Sequence, residues 1–260
     1  MAVDLSFLKT QLIGKTVDKP ISGTLSGHSA GEPFDKAVEE LLKDNFKNSQ
    51  DIYIYRQYEY LNTLYQQNLD KTTIEERYNL IESKPLQYLL NRGRDTTKKW
   101  TEENIFEEKQ NDTADILIKN NSFTHILDVK TRNLSKNAQA PNIISALKLA
   151  EMCKVAVENE EFDNFDIQYI GIDWKLDSDK LVCKSSYVKN LFKTNPSCLY
   201  INWAAALQIQ FHVDELQQDY DKDFKNWCFD YLEHFIKGAK KRINYMENNW
   251  INKYKGLLDK

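Results

Sequence analysis

Two aspartates and a lysine, Asp115, Asp128 and Lys130, stand at a spacing that can do chemistry. Ala114 to Ile118 is a short apolar run interrupted only by Asp115. Lys119-Asn120-Asn121-Ser122 is a turn signal, and Phe123 to Thr131 is a second run rich in residues that suit a pleated surface. Together they predict a β-hairpin. Side chains alternate along a strand, so Asp128 and Lys130 share one face while Leu127 and Val129 share the other. A turn centred between Asn121 and Ser122 sets Asp115 opposite Asp128. A slip of two residues still leaves both acids on one face.

Two close carboxylates cannot both ionise cheaply. A hard divalent cation resolves the conflict: Mg²⁺ takes one or two carboxylates and keeps several waters. The Val129 carbonyl, between the two key side chains, offers another oxygen. Such a cation makes water a stronger acid and a better nucleophile, and Lys130 can orient that water and stabilise charge developing on a phosphate. The chemistry is phosphodiester hydrolysis. Asp-X-Lys alone is an ordinary surface pair in a charged protein. The strand-borne acid thirteen residues earlier is what lifts it above that.

This arrangement resembles the signature of the PD-(D/E)XK nuclease superfamily. Longer blocks resemble type II restriction endonucleases of the HincII/HindII kind: Phe106 to Leu117, Leu127 to Asn133, Ala138 to Ala146, Tyr200 to Ala206, and Ser22 to His28 with Gly31 to Phe34. The resemblance covers nearly the whole chain. It departs from the superfamily pattern at Ala114, where a proline is usual. Asp112 also lies at a permissible spacing from Asp128, but Asp115 opens the apolar run and is the position the resemblance selects.

The resemblance implies an α/β fold with a restriction-endonuclease-like core, a mixed central β-sheet flanked by helices, in a single domain over residues 1–260. It implies Mg²⁺-dependent, sequence-specific cleavage of double-stranded DNA at GTYRAC to blunt ends, by a homodimer paired with a cognate DNA methyltransferase. Asp115, Asp128 and Lys130 would be catalytic, with the metal on Asp115, Asp128 and the Val129 carbonyl. Glu32, at the start of the first amphipathic helix, would be an auxiliary acid; as a bare residue it is a good first-turn carboxylate.

The elements that must position these groups follow from the pattern. Phe34, Ala37, Val38, Leu41 and Leu42 recur at helical spacing, and Pro33 fits a first helical position. Residues 1–33 read as a polar lead-in with loop character. Residues 52–110 are tyrosine-rich and mostly helical in pattern, and carry a basic cluster, Arg92, Arg94, Lys98 and Lys99, from which Arg94 is a candidate DNA contact. Thr131 to Asn142 is a polar loop leading into a helix opened by Pro141. Its Gln139 and Asn142 leave the hairpin beside Lys130, where DNA must lie if Lys130 is catalytic, and amides of this kind pair with adenine edges. Gln110, just before the first acid, gains weight the same way.

Asp166–Trp174 and Leu181–Val188 read as two strands, and Leu199–Val213 as one long regular strand. That strand has an apolar face (Leu199, Ile201, Trp203, Ala205, Leu207, Ile209, Phe211) and a polar one carrying Tyr200 and Asn202, both candidate DNA contacts. Residues 222–256 read as one or two long helices with a core stripe of Phe224, Trp227, Cys228, Tyr231 and Phe235.

Composition bounds the rest. With 260 residues and 41% hydrophobic content, the chain can build a sizeable core. No apolar run approaches a membrane span of ~20 residues, and no secretion signal is visible. Four scattered cysteines form no zinc-like pair and read as reduced and buried, as in the cytoplasm. The net charge of −4 argues against a nonspecific nucleic-acid binder, while leaving room for a locally positive cleft. Two other classes share these residues. A structure-specific repair or junction nuclease would use the same triplet, and a non-catalytic DNA-binding protein would keep the surface without the reaction.

Overall fold

A computed structural model describes residues 3–20, 28–67, 81, 83–90, 112–137, 139–204 and 207–258. Gln110 and Arg94, with the rest of the basic cluster, lie outside the described residues.

The hairpin that carries Asp128 and Lys130 forms as the pattern predicts. Strand β3 (Ile116–Lys119) pairs antiparallel with β4 (Thr124–Asn133), with Ile116 opposite Leu127 and Lys119 opposite Thr124. The turn is fixed by the Asn120 side chain, which accepts the N–H groups of Ser122 and Phe123. These strands are central in a six-stranded sheet. The order is β1 (Thr16–Asp18), β7 (Lys180–Asn190), β6 (Phe165–Asp177), β4, β3 and β2 (Tyr53–Tyr55). Only β4 and β6 run parallel, so the sheet is mixed.

Helices cover both faces. On one, helices α1 (Leu8–Gln11) and α2 (His28–Phe46) set Leu8, Phe34, Val38 and Leu42 against Ile116, Leu127 and Val129. On the other, α4 (Lys84–Leu90), α5 (Ala146–Asn159) and α6 (Phe224–Met246) bury Leu89, Leu149, Cys153, Trp227 and Tyr231 against Leu117, Ile126 and Tyr169. Strand β4 is therefore buried on both sides through Val129, and Asp128 is drawn into the sheet interior. The crossover from β4 to its parallel neighbour β6 runs through β5 (Asn142–Ser145) and α5, the length a parallel connection needs. No helix among the described residues is long and apolar enough to cross a membrane.

Several expectations are corrected. The lead-in is not a loop: Leu5, Leu8 and Leu12 are core residues, and β1 pairs with β7. Helix α2 begins at His28 and takes Pro33 inside, within its second turn. The long strand over Leu199–Val213 is a hairpin of β8 (Tyr200–Asn202) and β9 (Gln208–Gln210), which joins β5 in a second, three-stranded sheet ordered β5-β9-β8. Leu207 adopts a positive φ at this turn, and the Trp203 ring packs, tilted, against Phe235 of α6. The alternation survives the fold-back because Ile201 pairs with Ile209, keeping both on the core face. Asn142–Ser145 is strand rather than helix. The β-branched Ile143 and Ile144 fit its pleat, and Ser145 then caps α5 by accepting the Lys148 N–H. Cys198 is exposed while the other three cysteines are buried; it ends a surface 3₁₀ turn, Pro196–Cys198. His125 is a core residue: its Nε2 accepts the Val3 N–H, so its Nδ1 donates to Asp166 at 2.7 Å.

Candidate active site

Asp115 stands one residue before β3. Its N–H donates to the Leu127 carbonyl at 2.9 Å, and its carboxylate Oδ2 accepts the Val129 N–H at 2.7 Å. The acid is thus tied to the backbone between Asp128 and Lys130. Asp128 Oδ1 accepts from Lys130 Nζ at 2.5 Å, and Asp115 lies close enough for its charge to bear on the Asp128 carboxyl. The hairpin register brings all three side chains together.

Burial pushes the Asp128 carboxyl well above the ordinary range; Lys130 opposes this and Asp115 adds to it. Burial alone would lower the Lys130 ammonium, but the charges of Asp128, Asp115 and Asp35 hold it above the usual lysine value. Asp35 lies on α2. The sequence pointed instead to Glu32, which is exposed on that helix and paired with Lys36 at 2.7 Å. The helical acid whose field bears on Lys130 is therefore Asp35.

Two neighbouring carboxyls with an ammonium at one edge, on a strand whose Val129 separates Asp128 from Lys130, suit a hard cation with retained waters. Among the described residues, no group of three or more His, Cys, Asp or Glu converges as an all-protein ligand set. The side-chain donors here are carboxylate oxygens, the type a hard divalent cation takes.

Buried groups that sequence reasoning missed hold the site in place. Gln57, at the start of α3 (Gln57–Gln67), is 1% exposed. Its Oε1 accepts the N–H groups of Thr113 and Ala114, and its Nε2 donates to the Leu90 carbonyl and to Asp112 Oδ1. One amide thus pins the segment entering Asp115. Arg56 pairs with Glu39 at 2.6 Å and reaches the Asp115 carbonyl. Two residues beyond Lys130, Arg132 forks onto Asp173 at 2.8 and 2.6 Å and bonds Asp214 at 2.9 Å, and these carboxylates hold it firmly protonated. Strand alternation could have found Arg132, which shares the face of Asp128 and Lys130. No local signal marks Gln57.

A small pocket beside Lys130 is lined by Arg132, Pro141, Asp173, His212 and Asp214. Gln139 and Asn142 are exposed on either side of Pro141. Tyr200 is 63% exposed, and Asn202 is half-buried beside it in the small sheet. Asn142 and Asn202 both connect to Gln210, at 2.8 and 3.0 Å.

The family described as restriction endonuclease HincII matches residues 8–258. The chain belongs to the HincII restriction endonuclease family. Among its relatives, the type II restriction enzyme HindII of Haemophilus influenzae strain Rd is 50% identical over 247 residues, covering 95% of this chain and 94% of the relative. The type II restriction enzyme HincII of Haemophilus influenzae matches to the same extent. Members of this family are type II restriction enzymes, site-specific deoxyribonucleases, and this chain is one of them. The match covers the hairpin, the small sheet and both flanking helical layers.

Proposed function

We propose that this restriction enzyme cuts both strands of duplex DNA at GTYRAC, with Mg²⁺, leaving blunt ends with 5′-phosphates. The observation that carries the catalytic assignment is the Asp115–Val129 bond, which draws the first acid onto the strand segment that bears Asp128 and Lys130. Asp115, Asp128 and the Val129 carbonyl would hold the metal. When bound, Mg²⁺ supplies Lewis-acid charge at the scissile phosphate and lowers the pKa of nearby water. Lys130, anchored to Asp128, orients the attacking water and offsets negative charge growing on the phosphate oxygens. In-line attack forms a phosphorus–oxygen bond and expels the 3′-oxygen, which leaves as a hydroxyl after taking a proton.

Gln139, Asn142, Tyr200 and Asn202 would line the DNA, with Gln110 and Arg94 as further contacts. The cognate sequence rests on the family resemblance. A palindrome cut on both strands is served most simply by a two-fold dimer. The C-terminal helical arm supports that reading. It runs from α6 through a π-helical turn, Glu247–Ile251, into α7 (Asn252–Lys255). Phe229, Ile236, Ile243, Trp250 and Leu257 stand exposed on it at seven-residue intervals. Ile243 and Leu257 are more than 60% exposed, an arrangement that suits a second copy of the same arm. A restriction role also entails a cytoplasmic setting and a partner methyltransferase that protects the host's own sites.

Digestion of a plasmid of known sequence with Mg²⁺, beside Lys130→Ala, tests this. Discrete blunt fragments ending at GTYRAC, lost in the variant, are expected. An intact plasmid under the wild type would defeat the proposed specificity, and cleavage only of branched or damaged DNA would favour a structure-specific nuclease.

A further inference from the structure

Three side-chain amides form a directed chain across the small sheet. The backbone N–H of Ala204 donates to Asn202 Oδ1 at 3.1 Å. Asn202 Nδ2 donates to Gln210 Oε1 at 3.0 Å, and Gln210 Nε2 donates to Asn142 Oδ1 at 2.8 Å. The register makes the chain possible: Gln210 lies opposite Tyr200 on one side and opposite Asn142 on the other, with Asn202 diagonal to it.

Oxygen and nitrogen of an isolated amide can exchange places at little cost. Here they cannot do so independently. A backbone N–H only donates, so Asn202 must turn its oxygen to Ala204 and its nitrogen to Gln210. Gln210 must then answer with oxygen and present nitrogen to Asn142. Asn142 must accept with oxygen, which turns its Nδ2 away from Gln210. One backbone donor thus sets the polarity of an exposed amide three links away.

We infer that Gln210 is a specificity-determining positioning residue: it fixes Asn142 with its Nδ2 donor outward, to read an acceptor on a base edge in the DNA major groove. The acceptors of suitable kind are purine N7, guanine O6 and thymine O4, while the amino groups of adenine and cytosine are rejected at that position. This rests on the reading that Asn142 faces DNA. Gln210 itself acts through Asn142 and need touch no nucleotide.

The test is Gln210→Glu, which is isosteric but can only accept. It keeps the bond from Asn202 and requires Asn142 to turn its Nδ2 inward and its oxygen outward. The experiment measures kcat/KM of wild type, Gln210→Glu, Gln210→Ala and Asn142→Ala on the cognate duplex and on duplexes substituted at each base pair in turn. Thermal melting of each protein runs alongside.

The wild type is expected to discriminate at the base pair that Asn142 reads. Both Gln210 variants should lose roughly ten-fold or more of that ratio at this one position, keep discrimination elsewhere, and melt close to wild type. Asn142→Ala should lose the same position. If Gln210→Glu and Gln210→Ala keep every ratio, or slow all duplexes alike, the inference is overturned while the restriction reading stands. Uniform slowing would identify a phosphate contact instead. A wild type that cuts no duplex specifically overturns both.

Discussion

Replacing Gln57 by leucine should loosen the segment that delivers Asp115. Leucine fills much the same buried volume but supplies no polar atom. The Ala114 N–H, on a residue 3% exposed, then has no route to water, and the Leu90 carbonyl loses a donor. The Thr113 N–H is less buried and recovers part of its bond from solvent. The Ala114 N–H, left without its acceptor, costs about 1–3 kcal/mol, and the weakened bonds at Leu90 and Thr113 add to it. The expected loss of stability is about 2–4 kcal/mol, a large part of a typical ~5–15 kcal/mol total. At low temperature the variant still folds, but Asp115 is less well placed, and a shift near 1 Å can cost about 100-fold in rate.

Guanidinium unfolding gives the stability term, and single-turnover cleavage at a temperature where the variant is folded gives the rate. Gln57→Glu is the internal control. It keeps the acceptor for Thr113 and Ala114 but sets an anion against the Leu90 carbonyl and the Asp112 carboxylate. Its folded-state pKa should rise above the unfolded value. The folded protein then binds the extra proton, so the variant gains stability as pH falls and loses it as pH rises through that pKa. An unfolding midpoint for Gln57→Leu equal to wild type, with full-rate cleavage, would refute the account of this amide as the anchor of the acid.

Other perturbations read different layers of the structure. A Cβ at Gly171, paired with Lys130 across β4 and β6, would meet Val213 Cβ at 2.7 Å and Tyr187 Cδ2 at 3.2 Å. Gly171→Ala should therefore destabilise by about 1–3 kcal/mol, read as a lower melting temperature, and a neutral result would contradict the packing. Burial lowers the Lys148 ammonium to about 8. The folded protein thus holds fewer protons than the unfolded chain between about 8 and the ordinary lysine value of 10.5, so stability should rise with pH across that window. Lys148→Met should flatten this rise, which unfolding midpoints at pH 7, 8.5 and 10 will report. Ile243→Glu, combined with Trp250→Glu, places charges on the exposed arm and should shift the protein to monomer in sedimentation. A dimer that survives both changes would remove the arm from the interface.

The sequence by itself determined the hairpin and its triplet. Strand alternation and a turn signal are local, and the facing of Asp128 and Lys130 follows from the pleat alone. It also determined the polar and apolar faces of residues 199–202 and 208–211, because period-two burial on each strand survives whether that stretch runs straight or folds back. Family resemblance in those same blocks carried the reaction class.

Only the tertiary structure decided what supports the chemistry. Gln57 and Asp35 reach the site from helices 58 and 80 residues before Asp115 in sequence, and nothing in their local pattern sets them apart from other polar residues on helices. The fold-back between β8 and β9 was not legible, since it involves an aromatic packing against α6 and a positive φ at Leu207 rather than a proline or glycine. That same fold-back brings Asn202 and Gln210 side by side and lets the small sheet set the direction of Asn142. Local propensity fixes which way a side chain faces. Which amide it finds there, and with which end, is a matter of long-range contact.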